Sequence, residues 1–249
     1  MSFEVSLILF SLAIAVACYL IGSVSFAIIF TWWFKRYDIR DKGSGNAGAT
    51  NVLRSAGALP AALTFIFDML KGIAAVAVGY IAFLNLHLLP GYDPVTLPID
   101  PVYGMFIGGF FSFIGHIYPI YYKFRGGKGV ICVAAMILIL DWRVFAIIAG
   151  IFFLTILLSR MVSLGSILGA LAFPILTYIL YSSEFSYIWF GTTPLEIVSG
   201  SNPYYITLRT FETTAAACFF AIVLIKHIPN IKRIIRGEEK HITIKKKES

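Results

Sequence analysis

The sequence predicts an all-α polytopic integral membrane helical bundle of seven transmembrane helices, with the N-terminus outside and the C-terminus inside. Three observations predict it. The chain of 249 residues is 59% hydrophobic and only 13% charged, whereas a soluble domain carries about 25% charge. Its mean hydropathy is +0.84. Its Lys and Arg residues gather in the segments that this topology leaves on one side, as the positive-inside rule requires. The composition excludes a soluble globule, a disordered chain and a nucleic-acid module, although the net charge is +7.

Apolar stretches fall near 4–30, 58–86, 102–120, 129–141, 144–159, 163–183 and 205–226. A crossing helix needs about 20 such residues. The first stretch follows Glu4 rather than a basic region and runs on to about Phe34, too long for a signal peptide, so it reads as a retained membrane helix. Residues 129–159 as one helix would extend about 46 Å at 1.5 Å per residue. Asp141-Trp142-Arg143 therefore splits them into a hairpin. With seven crossings the inner segments 31–57, 121–128, 160–162 and 227–249, with Lys226 at the inner edge, hold 17 of the 20 Lys and Arg residues, leaving out Lys71, Arg143 and Arg209. The outer loops 87–101 and 184–204 are poor in both. No internal repeat is visible, so an inverted-repeat transporter has no support. Residues 1–249 read as a single membrane-embedded domain, with 232–249 a basic solvated tail suited to anionic lipid. Cys18, Cys132 and Cys218 all lie in apolar runs and read as small buried hydrophobes.

The inner segments carry the chemistry. In Gly43-Ser44-Gly45-Asn46-Ala47-Gly48-Ala49-Thr50-Asn51-Val52-Leu53-Arg54, glycines let successive backbone N–H groups turn toward one anion. A short helix starting within 46–57 adds its dipole, and Arg54 offers a bidentate phosphate clamp. The spacing Gly43-x-Gly45-x-x-Gly48 imitates a dinucleotide fingerprint, but no strand precedes it. A second cradle is Lys123-Phe124-Arg125-Gly126-Gly127-Lys128-Gly129. It is not a Walker A loop, since Tyr122 stands where the first Gly belongs and Gly129 where Ser or Thr belongs. His116, just upstream, reads as a hydrogen-bonded packing residue, and Asp68 with Lys71, three apart on one helix face, as a structural ion pair. Ser163 and Ser166 flank a helix start. His227, where the last crossing meets inner water, has a pKa range suited to proton transfer, with Asn230 beside it.

Together these segments resemble the bacterial acyl-phosphate:glycerol-3-phosphate acyltransferases (the PlsY family). The matching text is Asp38-Ile39-Arg40, GSGNAGATNVLR (43–54), FDMLKG (67–72), GHIYPIYYKFRGGKG (115–129), SLGS (163–166) and His227-x-x-Asn230-Ile-x-Arg233, in order along nearly the whole chain. The resemblance implies seven membrane helices in the bacterial inner membrane and an active site on the cytoplasmic face. It implies acyl transfer from acyl phosphate to the 1-hydroxyl of glycerol 3-phosphate, giving lysophosphatidate and phosphate, the first acylation of phospholipid synthesis. It implies catalytic roles for Lys128, His227, Asn230 and Ser44. It implies substrate contacts by Gly43, Gly45, Asn46, Thr50, Asn51, Arg54, Gly126, Gly127 and Ser166. Either His227 or the leaving phosphate is the base. The chain departs from the family pattern at Ser25, commonly Pro, and at Lys226, commonly Arg.

No His-x4-Asp dyad, paired-carboxylate or zinc motif is present. The expected partners are the two phosphorylated substrates and membrane lipid, with no cofactor, metal or nucleic acid, and the expected state is a monomer. The rival reading is a transporter of phosphorylated anions. It calls for ionisable residues at mid-membrane, whereas here the polar motifs cluster at one face.

Overall fold

A computed structural model describes residues 2–94, 97, 99–180 and 203–241. The end of the sixth apolar stretch, most of the outer loop 184–204 and the last part of the tail, 242–249, lie outside the described residues. The chain divides into two compact units, Met1–Trp142 and Arg143–Ser249.

In the first unit Ser2 caps the helix α1 (Phe3–Ser23), its hydroxyl accepting from the Val5 N–H at 3.5 Å. The chain then breaks at Val24–Ser25 before α2 (Phe26–Lys35). The first apolar stretch is thus two helices rather than one, and the Val24 carbonyl freed at the break accepts a hydrogen bond from Lys71. Arg36, in the left-handed region, ends α2. A single 3-10 turn (Ile39–Asp41) leads into the glycine-rich loop and the short amphipathic helix α3 (Ala49–Ala56). The long α4 (Ala58–Leu84) follows, then α5 (Val102–Ile117), a 3-10 turn (Ile120–Tyr122), and α6 (Val130–Leu140).

These helices meet over small residues, as close-packed membrane helices do. A Cβ on Gly79 would strike the Gly104 carbonyl, and one on Gly108 the Ala75 carbonyl, so α4 and α5 are in backbone contact. Gly22 of α1 meets α5 at Ser112 in the same way. A buried cluster of Ala27, Ile28, Ile39, Ala47, Val52, Ala56 and Ala61 lies beneath the first glycine-rich loop and anchors it to α2, α3 and α4.

Asp141 is extended and ends α6, its N–H bonded to the Ile137 carbonyl at 2.8 Å. The split expected at Asp141-Trp142-Arg143 is therefore where the helix breaks. The second unit holds α7 (Trp142–Ser159), α8 (Val162–Leu180, with Pro174 inside) and α9 (Pro203–Ile235, with Pro229 inside), α8 packing on α9.

The fold is all-α and polytopic. Helices occupy all seven apolar stretches. Among the described residues, five runs are long and apolar enough to cross a bilayer: Phe3–Lys35 taken across its break, Ala58–Leu84, Trp142–Ser159, Val162–Leu180 and Thr210–Ile235. α5 and α6 are shorter, at 16 and 11 residues.

Two expectations change. Cys18 and Cys132 are buried, but Cys218 is exposed. An apolar helical run puts residues on every side of the helix, so membership of the run does not by itself bury a side chain. Nor is the tail a solvated strip throughout. α9 runs to Ile235 and the left-handed Gly237 reverses the chain, with the Glu238 N–H on the Arg233 carbonyl at 2.8 Å. That reversal returns Glu239 to a buried position.

Candidate active site

The first unit brings the two glycine-rich loops together. Asn51, 2% exposed, shapes the first one from the inside. Its Oδ1 accepts from the Ser44 N–H at 2.9 Å. Its Nδ2 donates to the carbonyls of Ile39, Lys42 and Asn46 at 3.2, 3.0 and 3.0 Å. Gly43 and Gly45 have φ of +63° and +71°, and a side chain on Gly43 would fall on Asn51 Oδ1. The loop is thus preset by one amide, and Asn51 acts as its scaffold. Ser44 is exposed, Asn46 and Thr50 half-buried, and Arg54 exposed in the last turn of α3.

Arg40 ties this region to the second loop. Its guanidinium forks onto Asp38, with Nε 3.0 Å from Oδ1 and Nη2 2.6 Å from Oδ2. Its Nη1 donates to the carbonyls of Tyr122 at 2.7 Å and Arg125 at 3.3 Å. The guanidinium holds the Asp38 carboxyl below the usual carboxylate range. The backbone N–H groups of Gly126 and Gly127 donate to the carbonyls of Ile117 and His116 at 3.2 and 3.1 Å. Gly127 has room for no side chain, because the His116 ring and the Ala47 carbonyl fill the space. Lys128 follows it, half-buried. Gly43, Ser44, Gly45, Asn46, Thr50, Asn51, Arg54, Gly126, Gly127 and Lys128 therefore all belong to one unit and two adjoining loops or the helix start.

Beneath this seam Lys71 lies 2.8 Å from Asp68 Oδ1 and 3.1 Å from His116 Nδ1. All three are buried. The expected ion pair is present, and His116 is the hydrogen-bonded residue it was read to be.

The second unit arranges Ser166, His227 and Asn230. The Ser166 hydroxyl donates to the Val162 carbonyl at 2.9 Å, one turn back in α8. His227 is 1% exposed, its Nδ1 2.8 Å from the Val223 carbonyl. A carbonyl only accepts, so that nitrogen carries the proton and neutral His227 has its lone pair on Nε2. Asn230 Nδ2 donates to Glu239 Oε1 at 2.7 Å, as does the Ser163 hydroxyl, and Arg233 Nε reaches Oε2 at 2.7 Å. Burial would raise the Glu239 carboxyl, but these three donors outweigh it and hold it below the ordinary value.

Sequence reasoning missed Glu239, because it sits in a basic tail with no motif around it. It gave Arg40 no role beyond topology, although its spacing to Asp38 was visible. Among the described residues no group of three His, Cys, Asp or Glu stands ready for a metal ion.

The model of the glycerol-3-phosphate acyltransferase family matches residues 12–237. The chain is similar to glycerol-3-phosphate acyltransferases of Photobacterium profundum (32% identical, covering 93% of this chain and 92% of that one) and Chlorobium luteolum (34%, covering 94% and 97%). Among solved structures it is similar to PlsY (YgiH), an integral membrane glycerol 3-phosphate acyltransferase. The glycerol 3-phosphate form matches with a TM-score of 0.68 at 26% identity, over 94% of this chain and 96% of that one. The lysophosphatidic acid form matches with a TM-score of 0.64 at 25% identity, over 94% and 95%.

Proposed function

The chain belongs to the glycerol-3-phosphate acyltransferase family, and on that premise we propose that it transfers an acyl group from acyl phosphate to the 1-hydroxyl of glycerol 3-phosphate, releasing lysophosphatidate and inorganic phosphate. The observation that carries this reading is the pair of adjoining glycine-rich loops, one preset by Asn51 and the other leading into Lys128. Both of its substrates carry phosphate.

Acyl phosphate is an activated mixed anhydride, so no covalent enzyme intermediate is required. The glycerol oxygen attacks the acyl carbon. The new C–O bond forms as the bond to the phosphate oxygen breaks, and phosphate leaves with the electron pair. Lys128 and Arg54, presented by the loops that Gly43, Gly45, Gly126 and Gly127 shape, stabilise that leaving charge and bind the phosphates. Ser44, Asn46, Thr50 and Ser166 complete the substrate contacts, and Asn51 serves them from inside the loop as its scaffold. The hydroxyl proton goes to the Nε2 lone pair of His227 or to the departing phosphate, and Asn230 supports His227 from the next turn of α9. The pH–rate profile of His227→Ala separates these: loss of the titration near neutrality assigns the base to His227, and its retention assigns it to phosphate.

The same reading takes the whole chain as one acyltransferase domain, acting as a monomer in the bacterial inner membrane. It has seven crossings with the N-terminus outside, and its chemistry is on the cytoplasmic face. The alternating placement of Lys and Arg supports that orientation. The test gives the purified protein labelled glycerol 3-phosphate with palmitoyl phosphate, and in parallel palmitoyl-CoA or an acyl carrier protein thioester. Lysophosphatidate from acyl phosphate alone, lost in Lys128→Ala and Arg54→Ala, is the expected result. No product from any donor, with the protein folded, overturns the reading and turns attention to flux of phosphorylated anions.

A further inference from the structure

Lys71 Nζ has three neighbours: the Val24 carbonyl, Asp68 Oδ1 at 2.8 Å and His116 Nδ1 at 3.1 Å. The Asp68 contact is a close ion pair rather than a well-directed hydrogen bond. An ammonium group has three hydrogens and no lone pair. Facing it, His116 Nδ1 has to present its own lone pair, which leaves the ring neutral with its proton on Nε2. Asp68 and Lys71 cancel in charge, so the cluster as a whole is neutral, as a buried site in a membrane protein requires. Asp68 is fully buried and His116 is 7% exposed.

The other end of the ring is at the loops. Nε2 and the Ala47 carbonyl both lie where a side chain on Gly127 would stand. The backbone of His116 also accepts from the Gly127 N–H at 3.1 Å. One residue therefore meets the buried ion pair with Nδ1 and the seam between the two loops with Nε2, one position before Lys128.

We propose that Asp68, Lys71 and His116 form a buried positioning cluster that fixes the tautomer of His116 and thereby sets the register of the Gly126–Gly127–Lys128 loop against the Gly43–Gly48 loop. None of the three touches substrate. Their effect on rate passes through the placement of Lys128 at the end of that loop, and that part rests on the acyl-transfer reading above. A shift of about 1 Å in such groups costs on the order of 100-fold in rate.

The test uses the full protein in lipid nanodiscs, labelled with 15N-histidine, the His116 signals being assigned by their loss in His116→Gln. The wild type is expected to show His116 with Nδ1 bare and Nε2 protonated. The double variant Asp68→Asn/Lys71→Met leaves no lone buried charge. It is expected to mix the tautomers and to speed amide exchange over 122–130 and 43–48 without changing the rest of α4 and α5. Its kcat/KM falls on the order of 100-fold. His116→Gln retains an amide N–H near the Nε2 position and keeps more activity than His116→Phe. Protonated Nδ1 in the wild type, unchanged loop exchange in the double variant, or equal activity of the Gln and Phe variants overturns the proposal. Should the double variant not fold, the wild-type tautomer and the Gln–Phe pair decide. Wild-type protein that makes no lysophosphatidate defeats the acyl-transfer reading alone, since the tautomer and exchange measurements stand without it.

Discussion

Arg40→Ala cuts a side chain that links the two glycine-rich loops. In the native protein Arg40 gives Nη1 to the carbonyls of Tyr122 at 2.7 Å and Arg125 at 3.3 Å while its fork rests on Asp38. A charge-assisted hydrogen bond contributes about 1.5–3 kcal/mol when desolvated. The Arg40 and Asp38 side chains are 17% and 27% exposed, so water replaces part of what is lost and the lower figure applies to each contact. The fork onto Asp38 spans only two residues and fixes the turn. The carbonyl contacts span more than eighty and fix the loops. Together the losses come to about 2–4 kcal/mol. For a protein of this length that lowers Tm by about 4–16 °C. The Gly126–Lys128 backbone then drifts from the phosphate, and kcat/KM falls about 100-fold, or close to 3 kcal/mol of transition-state stabilisation. Arg40→Lys is expected to recover little, since one ammonium cannot hold the carboxylate fork and reach Tyr122 together. The assay is thermal unfolding in detergent beside steady-state transfer from acyl phosphate to labelled glycerol 3-phosphate. An alanine variant with native Tm and native kcat/KM would refute the claim that Arg40 holds the loops.

Three further outcomes are expected. Gly127→Ala collides with the His116 ring and the Ala47 carbonyl, and activity is lost; Gly150→Ala, where a Cβ meets nothing on α7, leaves activity intact and raises stability by up to about 1 kcal/mol, both read by turnover and unfolding. Asn51→Asp keeps the acceptor for the Ser44 N–H but turns the donor toward three carbonyls into an acceptor; it costs about 1–3 kcal/mol or more and speeds amide exchange across 42–48. Glu239 has a folded-state pKa below its unfolded one, so its stabilisation is complete above the unfolded value near 4.5 and is lost as pH falls through the folded one. Unfolding midpoints recorded from pH 7 downward are expected to fall in that window for the wild type, and Glu239→Gln is expected to start lower and flatten that part of the curve.

Helix content was legible because it depends on local runs. The apolar stretches, the hairpin break at Asp141 and the helix starting after Gly48 are each written within a dozen neighbouring residues. The anion-binding loops were legible as well, since glycine spacing and adjacent cations are local features. What escaped depends on partners distant in sequence. The carbonyl freed at the Val24–Ser25 break finds its partner in Lys71, 47 residues on. Glu239 acquires its meaning from Ser163, 76 residues earlier. Asn51 reads as a ligand contact in a motif, yet its amide is engaged with the loop itself. Cys218 shows the opposite limit: an apolar run does not tell which of its side chains are buried and which are exposed.

The Asp68–Lys71 pair also bears on how the protein is made. Lys71 is the fourteenth of the 27 residues of α4, near its middle, with Asp68 one turn before it. An isolated charge at the centre of an inserting helix costs about 2.5–3.5 kcal/mol. Two uncompensated charges would offset much of what the apolar residues of α4 contribute to entering the bilayer. Because the two lie at i and i+3 on one helix, 2.8 Å apart, the helix balances these charges by itself, before any other helix packs on it. The pair is local to α4, whereas the Val24 carbonyl and His116 come from other helices. An α4 that carries its own counter-charge therefore needs neither of them to balance Lys71, and α1 and α5 add contacts to a pair that is already neutral.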